Sequence, residues 1–104
     1  MDTLIQDLQK TIEALETLGE SPATAGEQID DLLDPLFQHK IDLVSAALNV
    51  STQPYQQAAA AMRQAAAKAE RAVKEPARAS EAFRAVADAI TKLARLQDSL
   101  FPIA

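Results

Sequence analysis

The side chains best suited to chemistry are one histidine and a run of carboxylates. His39 is the sole histidine of the chain. A nucleophilic triad needs a positioned Ser or Cys, a base and an orienting group. The sequence has no Cys and no Gly-rich nucleophile elbow. His39 falls between apolar turns of a helical stretch, and we expect a surface or boundary position for it rather than the role of a base. Glu27, Asp30, Asp31 and Asp34 form the best metal candidate. On a helix, Glu27 with Asp31 and Asp30 with Asp34 stand one turn apart. Ile29, Leu32, Leu33 and Leu36 nevertheless mark the face that must be buried, so the carboxylates point outward. A di-iron bundle aims carboxylates inward beside Glu-x-x-His motifs, and a calcium-binding hand has its own loop spacing; neither pattern is present. The expectation is a solvated acidic face near a helix N-terminus, with no metal, no cofactor and no catalytic residue.

Other chemistries find less support. Gly19 and Gly26 are the two glycines. They lie far apart in helix-end contexts, unlike a phosphate-cradling loop. Arg63, Lys68, Arg71, Lys74, Arg78, Arg84, Lys92 and Arg95 supply positive charge, and Arg71, Lys74 and Arg78 recur at helical spacing. Glu70, Glu75, Glu81 and Asp88 interrupt them, aromatic interleaving is missing and the whole chain is acidic, which disfavours nucleic acid. Alanine-dominated faces bind lipid weakly, so a membrane surface is also disfavoured.

The elements that position these residues are helices. Residues 57–73 read QAAAAMRQAAAKAERAV, free of Gly and Pro and dominated by the strongest helix former. Projected at about 100° per residue, Tyr55, Ala59, Met62, Ala66, Ala69 and Val73 share one side. Their alternating four-three spacing is a seam for shallow-angle helix packing, widened by Ala58, Ala61, Ala65 and Ala72. A methyl-lined face admits a close neighbour but buries little area, so the partners must bring bulk. This helix should run to about Lys74 and be broken by Glu75-Pro76.

Before it, a first helix is expected from Asp2 or Thr3 to Leu18. Its seam is Ile5, Leu8, Ile12 and Leu15, supported by Leu4 and Leu18. Asp2 and Asp7 favour the positive end of the helix dipole, and Gly19 suits a left-handed terminator. Glu20 to Ala23 connect. Thr24 and Glu27 have capping-box spacing at the start of a second helix. Its apolar set is the bulkiest: Ile29, Leu32, Leu33, Leu36, Phe37, Ile41, Leu43, Val44, Ala47 and Leu48. That width predicts the most buried helix of the four. Pro35 should kink or split it. Asn49 suits a left-handed cap, Ser51 or Thr52 can cap the next helix, and Pro54 fits its first turn. The last helix should begin between Pro76 and Ser80, with Ser80 as cap. Its seam is Phe83, Val86, Ile90, Leu93, Gln97 and Leu100. A buried Gln97 would need partners and would fix register; the half-exposed alternative is the commoner case. Leu100, Phe101 and Ile103 form an apolar tail that either folds back or docks elsewhere. Short connections imply antiparallel neighbours. The fold expected is an all-α, antiparallel up-down-up-down four-helix bundle in one domain, residues 1–104.

Composition bounds the function. Without Cys there is no disulfide framework. The residues MDTLIQDLQK are too polar for a signal peptide or membrane span, so cytoplasmic residence is the default. Residues 1–50 hold ten acids against Lys10 and Lys40, while residues 51–104 hold eight bases against five acids, together giving the net charge of −5. The split either helps two hairpins recognise each other or serves two outside partners. We expect a non-catalytic protein–protein interaction module: an adaptor, chaperone, inhibitor or immunity-type binder, self-association included. Glu27, Asp30, Asp31 and Asp34 are the candidate contact for a basic partner, and Arg71, Lys74 and Arg78 for an acidic one. The alternative is a small-ligand or nucleic-acid-linked regulator, or an amphipathic binder of a membrane or particle surface.

Overall fold

A computed structural model describes residues 3–20, 26–46 and 48–100. Among them are four α-helices packed against one another and no strand: α1 (Thr3–Gly19), α2 (Gly26–Val44), α3 (Gln53–Lys74) and α4 (Ala79–Leu100). A 3₁₀ turn, Pro76–Arg78, joins α3 to α4. The expectations that fall on Asp2, Ser21, Pro22, Ala23, Thr24, Ala47, Phe101, Pro102 and Ile103 lie outside the described residues.

The alanine-rich helix is the centre of the packing. α3 makes its broadest contact with α4 and the next with α1, while α2 makes smaller contacts with α1 and α4. The buried positions of α3 are Tyr55, Ala58, Met62, Ala65, Ala66, Ala69 and Ala72. Four of the six expected seam residues, Tyr55, Met62, Ala66 and Ala69, are buried, and the stripe is turned part of a residue towards Ala58, Ala65 and Ala72. Ala58, Ala65 and Ala72 are fully buried on one flank of it, and Val73 turns outward. Two neighbours flank α3, so the buried face spans both contacts. Small side chains there permit close approach of a neighbouring helix.

The bulk comes from α1 and α4. α1 buries Leu4, Leu8, Thr11, Ile12, Ala14, Leu15 and Leu18, leaving Ile5 half-buried. Thr11 is fully buried, and its hydroxyl donates to the Asp7 carbonyl at 2.8 Å, which satisfies it within its own helix. α4 buries Ala79, Ala82, Phe83, Val86, Ala89, Leu93 and Leu96, while Ile90, Gln97 and Leu100 are half-buried.

Helix ends depart from expectation in instructive ways. No described residue has a positive φ, so neither Gly19 nor Asn49 is a left-handed terminator. Gly19 is the last helical residue of α1, and a Cβ there would meet Ile29 Cγ2 at an ordinary 3.8 Å. α2 ends at Val44 rather than near Leu48, and Ala46 N–H donates back to the Leu43 carbonyl. Asn49 then closes the turn with its side chain. Its Oδ1 accepts the Ser51 N–H at 3.0 Å and the Ser51 hydroxyl at 2.7 Å, and its carbonyl accepts the Thr52 hydroxyl at 2.9 Å. Those hydroxyls are thus spent inside the loop, and Thr52, at the N-cap of α3, makes no side-chain capping bond. Ser80 is likewise not a cap, because Ala79 already has helical φ and ψ.

Candidate interaction surface

α2 is the least buried of the four helices, contrary to its expected place. It buries Ile29, Leu36 and Leu43, against seven residues in each of the others. The reason is geometric. A helix with two modest contacts can bury one stripe, whereas the apolar residues of α2 wrap well beyond a stripe. The surplus is left outside: Phe37 is 40% exposed, Ile41 67% and Val44 59%. These three share one side of the helix, with half-buried Leu33 at its edge.

The same side continues towards the N-terminus with charge. Asp30, Asp34, Phe37, Ile41 and Val44 follow one another at spacings of four, three, four and three. That spacing lines one helix face, the pattern of a seam for a further helix. Its first two positions are exposed carboxylates and its last three are exposed apolar side chains. Glu27 and Asp31, also exposed, flank the acidic end. The ion pairs among the described residues join Arg78 to Glu75 and Glu81, and Lys92 to Asp88. They leave all four of these carboxylates out.

A polar network ties the other side of α2 to α4. The Gln97 side chain spans the interface. Its Nε2 donates to Asp42 Oδ2 at 2.8 Å, and its Oε1 lies 2.6 Å from His39 Nδ1. A carboxylate only accepts, so the amide orientation is set by Asp42, and Oε1 requires a proton on His39 Nδ1. Gln38 Nε2 donates to the other Asp42 oxygen at 3.1 Å. Gln97 therefore has the partners that a seam amide needs, although it is half-buried. His39, also half-buried, is positioned by the amide and not directly by the carboxylate. Ile41, Asp42, Ser45 and Gln97 line an open depression beside it. No nucleophile is joined to His39 by the described hydrogen bonds, and the arrangement is one that joins two helices.

The basic candidates separate. Arg71 and Lys74 are exposed on the last turn of α3. With Ala67, Glu70 and Glu75 they line a shallow, mixed-charge hollow. Arg78 does not continue their helical row, because α3 has ended and Arg78 lies in the 3₁₀ turn. Its Nε donates to Glu75 at 2.6 Å, and Glu81 lies 3.6 Å away. The hydrogen bond and charge of Glu75, then the charge of Glu81, raise its pKa further above the ordinary guanidinium value. The three bases are thus not one helical row, and α2 and α3 are not among the broad helix contacts.

Among the described residues, no group of three or more His, Cys, Asp or Glu is placed to hold a metal ion. Among them also, no helix is long and apolar enough to cross a membrane. Comparison of the chain with protein-family models, with curated proteins and with solved structures gives no match. The functional reading accordingly rests on the residues themselves.

The apolar outer face of α2 was missed by sequence reasoning, which assigned the whole apolar set to the core. A signal was present. Ile29, Leu36 and Leu43 fall on one side of the helix, and Phe37, Ile41 and Val44 on another. No single neighbour covers both.

Proposed function

We propose that this chain is a small non-catalytic interaction module that binds another protein through the outer face of α2. One observation carries the proposal: Phe37, Ile41 and Val44 are exposed together on one side of a regular helix. Large apolar residues grouped on a surface mark contact sites more often than those scattered singly. The bundle behind them acts as a rigid support. We take its helices to alternate in direction. The approach of Gly19 at the end of α1 to Ile29 near the start of α2 supports this, as do the bonds from Gln97, near the end of α4, to the latter half of α2. We also take Pro35, which lies inside the continuous α2, to bend that helix. We take cytoplasmic residence to go with this function.

The test is a paired capture experiment. Wild-type protein and the variant Phe37→Ser/Ile41→Ser/Val44→Ser, matched in helicity and unfolding midpoint, are presented to the same extract. A protein retained by the wild type and lost by the variant is the expected result. Equal retention of every captured protein by both would remove the α2 face from function.

A further inference from the structure

The face offered by α2 is not uniform, and its pattern constrains what can lie on it. Along the seam, Asp30 and Asp34 come first, then Phe37, Ile41 and Val44. A second α2 in parallel register would set Asp30 and Asp34 against their own copies, four carboxylates with no cation between them. In antiparallel register centred on Phe37, each copy would press Asp30 onto Val44 and Asp34 onto Ile41. Burying a carboxylate against an apolar side chain is costly without a charged or hydrogen-bonding partner. Lys40 is the one Lys or Arg of α2. It lies on the flank towards the buried stripe and cannot neutralise the acidic end. An anionic membrane would be repelled by the same carboxylates. The complement of this face is a helix carrying cations at one end of its contact stripe and apolar side chains along the rest.

We infer that the outer face of α2 takes a cationic amphipathic helix from another protein, with Lys or Arg over Asp30 and Asp34 and apolar residues over Phe37, Ile41 and Val44. The inference rests on the function proposed above and adds the chemistry of the partner to it. Recognition follows from the parts. The apolar half supplies the contact that excludes water, and the acidic half selects among amphipathic helices by charge and fixes which way the partner runs. Glu27 and Asp31 extend the negative field beyond the seam and steer a cationic segment towards it.

The test uses synthetic helical peptides of about three heptads and the full chain. One peptide carries two Lys followed by three Leu at the matching four-three spacing, in both sequence directions. A second replaces the two Lys by Glu. Binding is read by fluorescence anisotropy at low and high salt, with wild type, Ile41→Glu and Asp30→Lys/Asp34→Lys; circular dichroism checks that each variant keeps its helix content. We expect wild type to bind one direction of the Lys peptide at least ~10-fold more tightly than the Glu peptide, the preference shrinking as salt screens it. Asp30→Lys/Asp34→Lys should invert the preference, and Ile41→Glu should weaken both peptides. If Ile41→Glu abolishes binding but the charge swap leaves the preference unmoved, the partner chemistry is wrong and the docking face stands. If Ile41→Glu changes nothing, or neither peptide binds, the face itself fails along with the inference. Binding to phosphatidylserine vesicles in place of peptides, or a mass at a multiple of 11.2 kDa that Ile41→Glu dissolves, also overturns the inference, by giving the face to a lipid surface or to a second copy.

Discussion

Gln97 is the residue on which the attachment of α2 most visibly turns. Its amide satisfies Asp42 and His39 at once, and α2 has few apolar contacts to substitute for it. Gln97→Ala removes both bonds and leaves half-buried polar groups to find water. We expect a loss of about 1–2 kcal/mol in unfolding free energy, measured by urea denaturation. An unchanged midpoint would mean that water replaces the amide without cost. The importance of Gln97 is partly legible in the chain, because a glutamine at a seam position calls for partners. Which partners it finds is not legible: His39 and Asp42 lie 58 and 55 positions away, and only the packing of α2 on α4 brings them together. Arg78 teaches the converse. Spacing alone aligns it with Arg71 and Lys74, but the helix stops at Lys74 and two neighbouring carboxylates hold the guanidinium.

At the scale of the elements, helix existence and most boundaries can be read from residue type. Alanine content gives α3, and Glu75-Pro76 ends it. The phase of each seam is harder to read. Ala58, Ala65 and Ala72 look like the edge of a stripe in isolation, yet they are fully buried because α3 lies between two partners. α2 shows the limit most clearly. Hydropathy reports that Ile41 and Leu43 are equally fit for a core, yet only Leu43 enters it, and hydropathy contains no information about how many neighbours a helix will have. Two consequences follow for α2. Its amides should exchange with solvent faster than those in the middle of α3 and α4, since few buried contacts hold it closed. Protection in α2 equal to that in α3 would contradict this. Pro35 leaves the carbonyl one turn before it without its helical donor. Pro35→Ala should therefore stabilise the protein, by about 1–3 kcal/mol against the ~3 kcal/mol intrinsic penalty of proline in a helix interior. No gain on denaturation would show that α2 accommodates the proline without loss.

For the whole molecule, the four helices give a support about 44 Å long and 22 Å wide. Its acidic and basic halves are distributed over different helices. The acidic half contains α1 and the outer face of α2, and the basic half contains α3 and α4. Asp30 and Asp34 oppose pairing of two α2 faces, so we expect 11.2 kDa by light scattering at low salt. We expect the same mass at salt high enough to screen exposed charge. A stable dimer at both salts would assign the apolar face to self-association. The central claim is that the α2 face is a binding surface and not a casually exposed part of the core. Its most direct measurement is site-specific photo-crosslinking in intact cells. A photoreactive phenylalanine analogue is placed at Ile41 and, as a control, at exposed Thr91 on α4. Discrete crosslinks to one or a few proteins from Ile41, absent from Thr91, are the predicted result. Indistinguishable patterns from the two positions, or no crosslink at Ile41, would contradict the claim.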